Sequence, residues 1–145
     1  MSGECWRATP DDLDTLVALA REFHALSPFK DYRFSPSGAR QHFLLMMRCP
    51  SSVIIMHDDG LIGGTVSDYP FCELRIGKEA FWYARREGVG GIALLKDYMK
   101  WVESKGAQMD LLSSLEIEGR RSGVIERVLR RYGFHIVEHT HMRIV

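Results

Sequence analysis

Between Phe81 and Trp101 the chain reads FWYARREGVGGIALLKDYMKW. Two arginines, Arg85 and Arg86, stand directly before Glu87 and the run Gly88-Val89-Gly90-Gly91. The glycines lead straight into an apolar pattern at helical spacing, Ile92, Leu95, Met99 and Val102. A helix start leaves backbone N–H groups unpaired and carries partial positive charge. Glycines let the preceding loop wrap closely round a ligand and turn further N–H groups toward it. With two guanidinium groups beside it, such a loop suits an anion, a phosphate or pyrophosphate above all. Glycines alone would suit a plain strand-to-helix turn. The aromatic strand, the arginine pair and the uninterrupted helix pattern together favour a ligand.

Two familiar phosphate loops do not fit. Gly88-Val89-Gly90-Gly91-Ile92-Ala93 formally matches the dinucleotide pattern GxGxxG/A. That pattern belongs after the first strand of a βαβ series, with an acid at the end of the next strand. Here the loop lies past the middle of the chain, and the available acid, Asp110, stands at the start of the next strand. No Gly-Lys-Ser/Thr follows, so the Walker pattern is absent. His135, His139 and His141 have the wrong setting for a metal, because a turn near Thr140 breaks the strand that would align them, and no metal is expected. Cys5, Cys49 and Cys72 are an odd, scattered set that reads neither as a disulfide framework nor as a metal site.

The elements that must position the loop follow from periodicity. ECWRAT reads as a strand. Thr9 caps a first helix, with Pro10 at its first position and Leu13, Leu16, Val17, Ala20 and Phe23 on one face. Ser35 and Pro36 repeat the signal for a second helix, whose Leu44, Leu45, Met46 and Met47 read as core. SSVIIMH is a buried strand, Asp59-Gly60 a hairpin turn, and LIGGTVSDY the returning strand. EAFWYA precedes the glycine loop. The loop helix stops at Gly106, QMDLLSS is a strand, RRSGVIERVLRRY is a helix stopping at Gly133, and FHIVEH and HMRIV are two last strands. The order is β-α-α-β-β-β-α-β-α-β-β, an α/β fold with a mixed twisted sheet and helices on both faces. At 145 residues, residues 1–145 read as a single domain. Nineteen basic and nineteen acidic side chains cancel, which argues against nucleic acid or an anionic membrane as partner. No stretch suits a bilayer span, and the first residues lack a signal-peptide pattern. A reduced, cytoplasmic protein is expected.

Element order and loop together resemble the GNAT superfamily of N-acetyltransferases, over nearly the whole chain. Arg85-Arg86-Glu87-Gly88-Val89-Gly90 matches the family's Arg/Gln-x-x-Gly-x-Gly/Ala loop. A register starting at Arg86 and ending at Gly91 instead aligns Ala93, Leu94 and Leu95 with the family's Ala-Leu-Leu, but sets Val89 where the first glycine belongs. DYMKWVESKGA and RRYGF are similar to family helix endings. The resemblance implies acetyl-CoA as co-substrate, with Phe81, Trp82 and Tyr83 acting through backbone on the pantetheine arm and residues 85–91 on the pyrophosphate. It implies a strand that splays from its neighbour, a primary amine acceptor on a small molecule or a protein, and a homodimer as a common assembly. A general base belongs near the splayed strand, with Glu79 first and Glu73 second. Two departures stand out. The usual x-Pro-x-x before the arginines is missing. Leu129 stands where many members carry a tyrosine acid, leaving Tyr132 as the candidate nearby. The expected function is acetyl-CoA-dependent N-acetyl transfer; the alternative is a non-catalytic GNAT-like module that binds CoA or regulates a partner.

Overall fold

Val53 to Met56 is apolar at every position, so a strand made of it needs cover on both faces. It has that cover. A computed structural model describes residues 3–145, with the backbone alone at Ser122. The strands are β1 (Trp6–Arg7), β2 (Ser52–His57), β3 (Gly60–Asp68), β4 (Arg75–Ala84) and β5 (Met109–Leu111). The helices are α1 (Leu13–Leu26), α2 (Pro36–Arg48), α3 (Val89–Ser104) and α4 (Ser122–Arg131). One sheet runs β1-β2-β3-β4-β5, antiparallel except for the parallel β4–β5 pair. Ile54 and Met56 point to α1 and α2, where they meet Leu16, Leu19, Phe43 and Met46. Val53 and Ile55 point the other way, to Leu94, Tyr98 and Val102 of α3.

The caps work largely as the sequence suggests. Asp12 accepts from the Thr9 N–H at 2.9 Å, although the first turn, Pro10–Asp12, is a 3-10 turn. Ser35 Oγ accepts from the Gly38 N–H at 3.1 Å. Gly106 and Gly133 end their helices with φ of 74° and 88°.

Three expectations need correction. The β2–β3 hairpin turns on Asp58 and Asp59, and Gly60 already pairs with His57. Its glycine is required by close approach, since a Cβ there would lie 2.0 Å from the Tyr83 carbonyl oxygen. Leu45 is exposed. FHIVEH and HMRIV form no strands; residues 135–145 are exposed. Alternating apolar residues create two faces, but a strand also needs an edge to pair with. β5 offers only three residues before the chain turns away.

The β3–β4 ladder slips between Gly63 and Gly64, which pair with Phe81 and Glu79 and leave Ala80 as a bulge. Gly64 also admits α3: a Cβ there would lie 2.4 Å from the Tyr98 hydroxyl and 2.6 Å from the Lys78 carbonyl oxygen. Gly64→Ala should therefore destabilise the fold by about 1–3 kcal/mol, as overpacked sites do. Urea unfolding should show a lower midpoint at unchanged slope. A midpoint equal to wild type would contradict this packing.

Candidate active site

β4 and β5 pair only from Ile76–Met109 to Lys78–Leu111. Beyond Lys78 the two segments separate, and among the described residues no strand lies beside the β4 edge from Glu79 to Ala84. Groups from elsewhere in the chain occupy part of this gap. The Ser113 N–H donates to Glu79 Oε2 at 3.2 Å. Trp82 Nε1 donates to the Gly91 carbonyl at 3.2 Å. Arg120 Nη2 donates to the carbonyls of Ala84 and Arg85, and its guanidinium lies 5.4 Å from the Tyr83 ring centre.

Two cavities meet in the gap. The first runs over the start of α3: Arg86, Glu87, Gly88 and Gly91 form one side, Arg120 and Arg121 another, and Val124, Ile125 and Val128 of α4 the third. The second lies toward α1, bounded by Phe23, His24, Ser27 and Phe29 on one side and by Glu79 and Ser113 on the other. Trp82, Leu115, Ile117 and Ile125 line both, so they form the wall through which the two cavities adjoin.

Glu79 is the titratable carboxylate lining the second cavity. Burial pushes its carboxyl up to about 7; the Ser113 N–H opposes that, and the charge of Asp110 adds to it. Asp110 is itself raised to about 6, by burial first and then by Glu103. It sits where Gly77 lacks a side chain: a Cβ on Gly77 would lie 3.1 Å from Asp110 Oδ1. Tyr98 is shifted up by burial and then by Asp110 and Glu79, and its buried hydroxyl has no hydrogen-bond partner among the described residues. A carboxylate that exchanges its proton near neutral pH is suited to general-base work.

No protein-family model matches the chain, and no curated protein does. Solved structures match it over nearly its whole length. An acetyltransferase of Trypanosoma brucei is 16% identical with a TM-score of 0.70, covering 98% of this chain and 99% of that one. A protein described as a transcriptional regulator from Bacillus halodurans is 16% identical at 0.69, covering 98% of each chain. An aminoglycoside acetyltransferase from an uncultured soil metagenomic sample, solved with sisomicin, is 14% identical at 0.66, covering 98% of this chain and 96% of that one.

The chain has the GNAT acetyltransferase fold.

Within that GNAT fold the expected site residues fall into two groups. Trp82, Arg86, Glu87, Gly88 and Gly91 line the first cavity. Phe81 turns to the α1–α2 core, edge-on to Phe43. Tyr83 is buried against Phe23. Val89 is 81% exposed. Gly90 faces inward, where a Cβ would lie 3.1 Å from His57 Nδ1, so its small size serves packing beneath the loop. Gly88 precedes the helix with φ of 116°, a conformation that strains other residues. Both loop arginines are already paired. Arg85 forks onto Glu22 with two contacts of 2.9 Å, and Arg86 Nε lies 2.9 Å from Asp59 Oδ2. Arg85 lines neither cavity, and neither does exposed Glu73.

Tyr132 lines neither cavity either. The cavity-facing stripe of α4 ends at Val128; Tyr132 is one turn further, at the helix C-cap, and Leu129 is buried. Arg120 and Arg121 were not anticipated, although the basic pair just ahead of a helix pattern was a usable signal. Among the described residues no helix is long and apolar enough to cross a membrane, and no three His, Cys, Asp or Glu side chains group as a metal site.

The raised carboxyl of Glu79 has a consequence for stability. Its folded value of about 7 lies above the ordinary 4.5, so folding favours the protonated form. That contribution is whole below pH 4.5 and is lost as pH rises through about 7. Between these limits the urea midpoint of wild type should fall more steeply than that of Glu79→Gln. Parallel curves for the two proteins would mean that Glu79 is not perturbed.

Proposed function

We propose that the protein transfers an acetyl group from acetyl-CoA to an amine. The observation that carries this reading is Glu79, with its carboxyl near 7, lining the second cavity, which shares the wall of Trp82, Leu115, Ile117 and Ile125 with the first. The free β4 edge offers main-chain groups suited to the amides of a pantetheine arm. The N–H groups at the start of α3, behind Gly88 and Gly91, suit a pyrophosphate. Arg121 supplies charge from across the first cavity. The amine enters by the second cavity.

In the transfer step the amine nitrogen attacks the thioester carbonyl carbon, and the C–S bond breaks. The nitrogen's proton passes to the Glu79 carboxylate, directly or through water. No tyrosine lines either cavity, so the departing thiolate takes its proton from solvent. Free thiols have a pKa of about 8.5, which makes a dedicated acid helpful but dispensable.

The cofactor half of the reading is tested by calorimetry. A leucine at position 91 would fill the first cavity beside Trp82, so Gly91→Leu should lose CoA binding while circular dichroism shows a native fold. Unchanged affinity in that folded variant would place the cofactor elsewhere.

The chemical half is tested by turnover. Glu79→Gln should lower kcat by on the order of a hundred-fold, the usual worth of a positioned base. Because the base works deprotonated, wild-type kcat/KM should climb with pH through about 7, and the variant should lack that limb. Tyr132→Phe should turn over as wild type. Full activity of Glu79→Gln across pH would exclude the base role, and binding of CoA with no amine acetylated would favour the non-catalytic alternative.

A further inference from the structure

We infer that the second cavity binds a monoamine carried on an apolar, ring-sized body, and that such an amine is the acceptor. The inference rests on the acetyl-transfer reading for its chemistry and on the cavity alone for its ligand class. The cavity encloses about 360 Å³, at the small end of the range for ligand sites, roughly 300–1,000 Å³. Its walls are apolar or aromatic, chiefly Phe23, Phe29, Trp82, Leu115, Ile117 and Ile125.

Its polar groups are few, and most are already engaged. Ser27 Oγ donates to the His24 carbonyl at 2.8 Å and accepts from the Phe29 N–H at 3.2 Å. His24 Nε2 is 2.6 Å from the Tyr32 carbonyl oxygen. The Ser113 N–H is taken by Glu79. Two further carboxylates on the bordering elements are also held. Glu22 of α1 is forked by Arg85, and Glu118 lies 2.6 Å from Lys30 Nζ. The Glu118 N–H donates to the Leu26 carbonyl at 2.9 Å, which ties the end of α1 to the segment bordering the cavity. Glu79 is left as the acid that can meet an ammonium group inside.

These facts select among amines. One ammonium can stand by Glu79 with aromatic faces near it, an arrangement that favours cations. An apolar ring attached to it would meet Phe29 and Ile117. A second ammonium, or a set of sugar hydroxyls, would lose water against those walls with little beyond the Ser113 hydroxyl and His24 Nδ1 to meet it, a cost for buried charge and polar groups. A peptide N-terminus would bring amide groups into the same apolar space.

The test compares 2-phenylethylamine, tobramycin and an alanine-initiated tetrapeptide on the full chain, by calorimetry in the presence of CoA and by CoA release from acetyl-CoA. The expected result is binding of 2-phenylethylamine, and a kcat/KM for it at least about ten-fold above the other two, since apolar pockets discriminate on that scale or more. Phe29→Ala, at a residue 48% exposed, should raise KM for 2-phenylethylamine with little change in kcat. Failure of 2-phenylethylamine to bind overturns the inference, and so does preference for tobramycin or the peptide; the latter would leave the transfer reading intact. Tight binding of 2-phenylethylamine without acetylation overturns the transfer reading and supports the ligand class.

Discussion

The parting of β4 from β5 after Lys78 is the constraint on which the site depends. A sheet edge left open exposes a row of unpaired N–H and C=O groups, and proteins ordinarily cover or pair such rows. Here the cover is partial and comes from side chains. Arg120 occupies the carbonyls of Ala84 and Arg85. Trp82 reaches across to Gly91. Glu79 takes the N–H of Ser113 from the chain that has left the sheet. These bonds tie the open edge to the segments around it, and both cavities lie along it.

α3 sits close against the sheet, and the glycines permit it. Gly64 and Gly77 lack side chains where Tyr98, Val102 and Asp110 press in. The approach has an electrostatic consequence. It buries Asp110 and the Tyr98 hydroxyl beside the strand that carries Glu79, and acids buried near one another are hard to ionise together. Burial is what chiefly raises the Glu79 carboxyl, and this packing adds to it through Asp110. The bulge at Ala80 belongs to the same design, since it shifts the ladder immediately beyond Glu79.

Charge is distributed differently from the loop motif's appearance. Arg85 and Arg86 look like phosphate ligands when read beside the glycines. Both are paired, Arg85 with Glu22 of α1 and Arg86 with Asp59 of the β2–β3 turn, and Arg86 also lines the first cavity. Arg120 and Arg121 bring cationic charge to the opposite wall of the first cavity.

The sequence by itself determined what short-range physics controls. Apolar periodicity set the helices and most strands, Thr9, Ser35, Gly106 and Gly133 marked helix ends, and the glycine run placed an N–H-rich helix start behind an aromatic strand. Glu79 was legible as a carboxylate beside the aromatic run, and the structure sets it inside β4. What the tertiary structure alone decided depends on contacts between distant segments. Arg85 is neutralised by a residue 63 positions away, and Arg120 reaches carbonyls 35 and 36 positions back. Gly90 faces inward because His57 lies beneath it. Tyr132 falls outside the cavities because the α4 stripe that faces them ends one turn earlier. FHIVEH and HMRIV carry a strand's alternation, yet pairing requires a neighbouring edge, and the chain after β5 does not provide one. Local pattern says what a segment can become; partners brought close by packing settle what it does become.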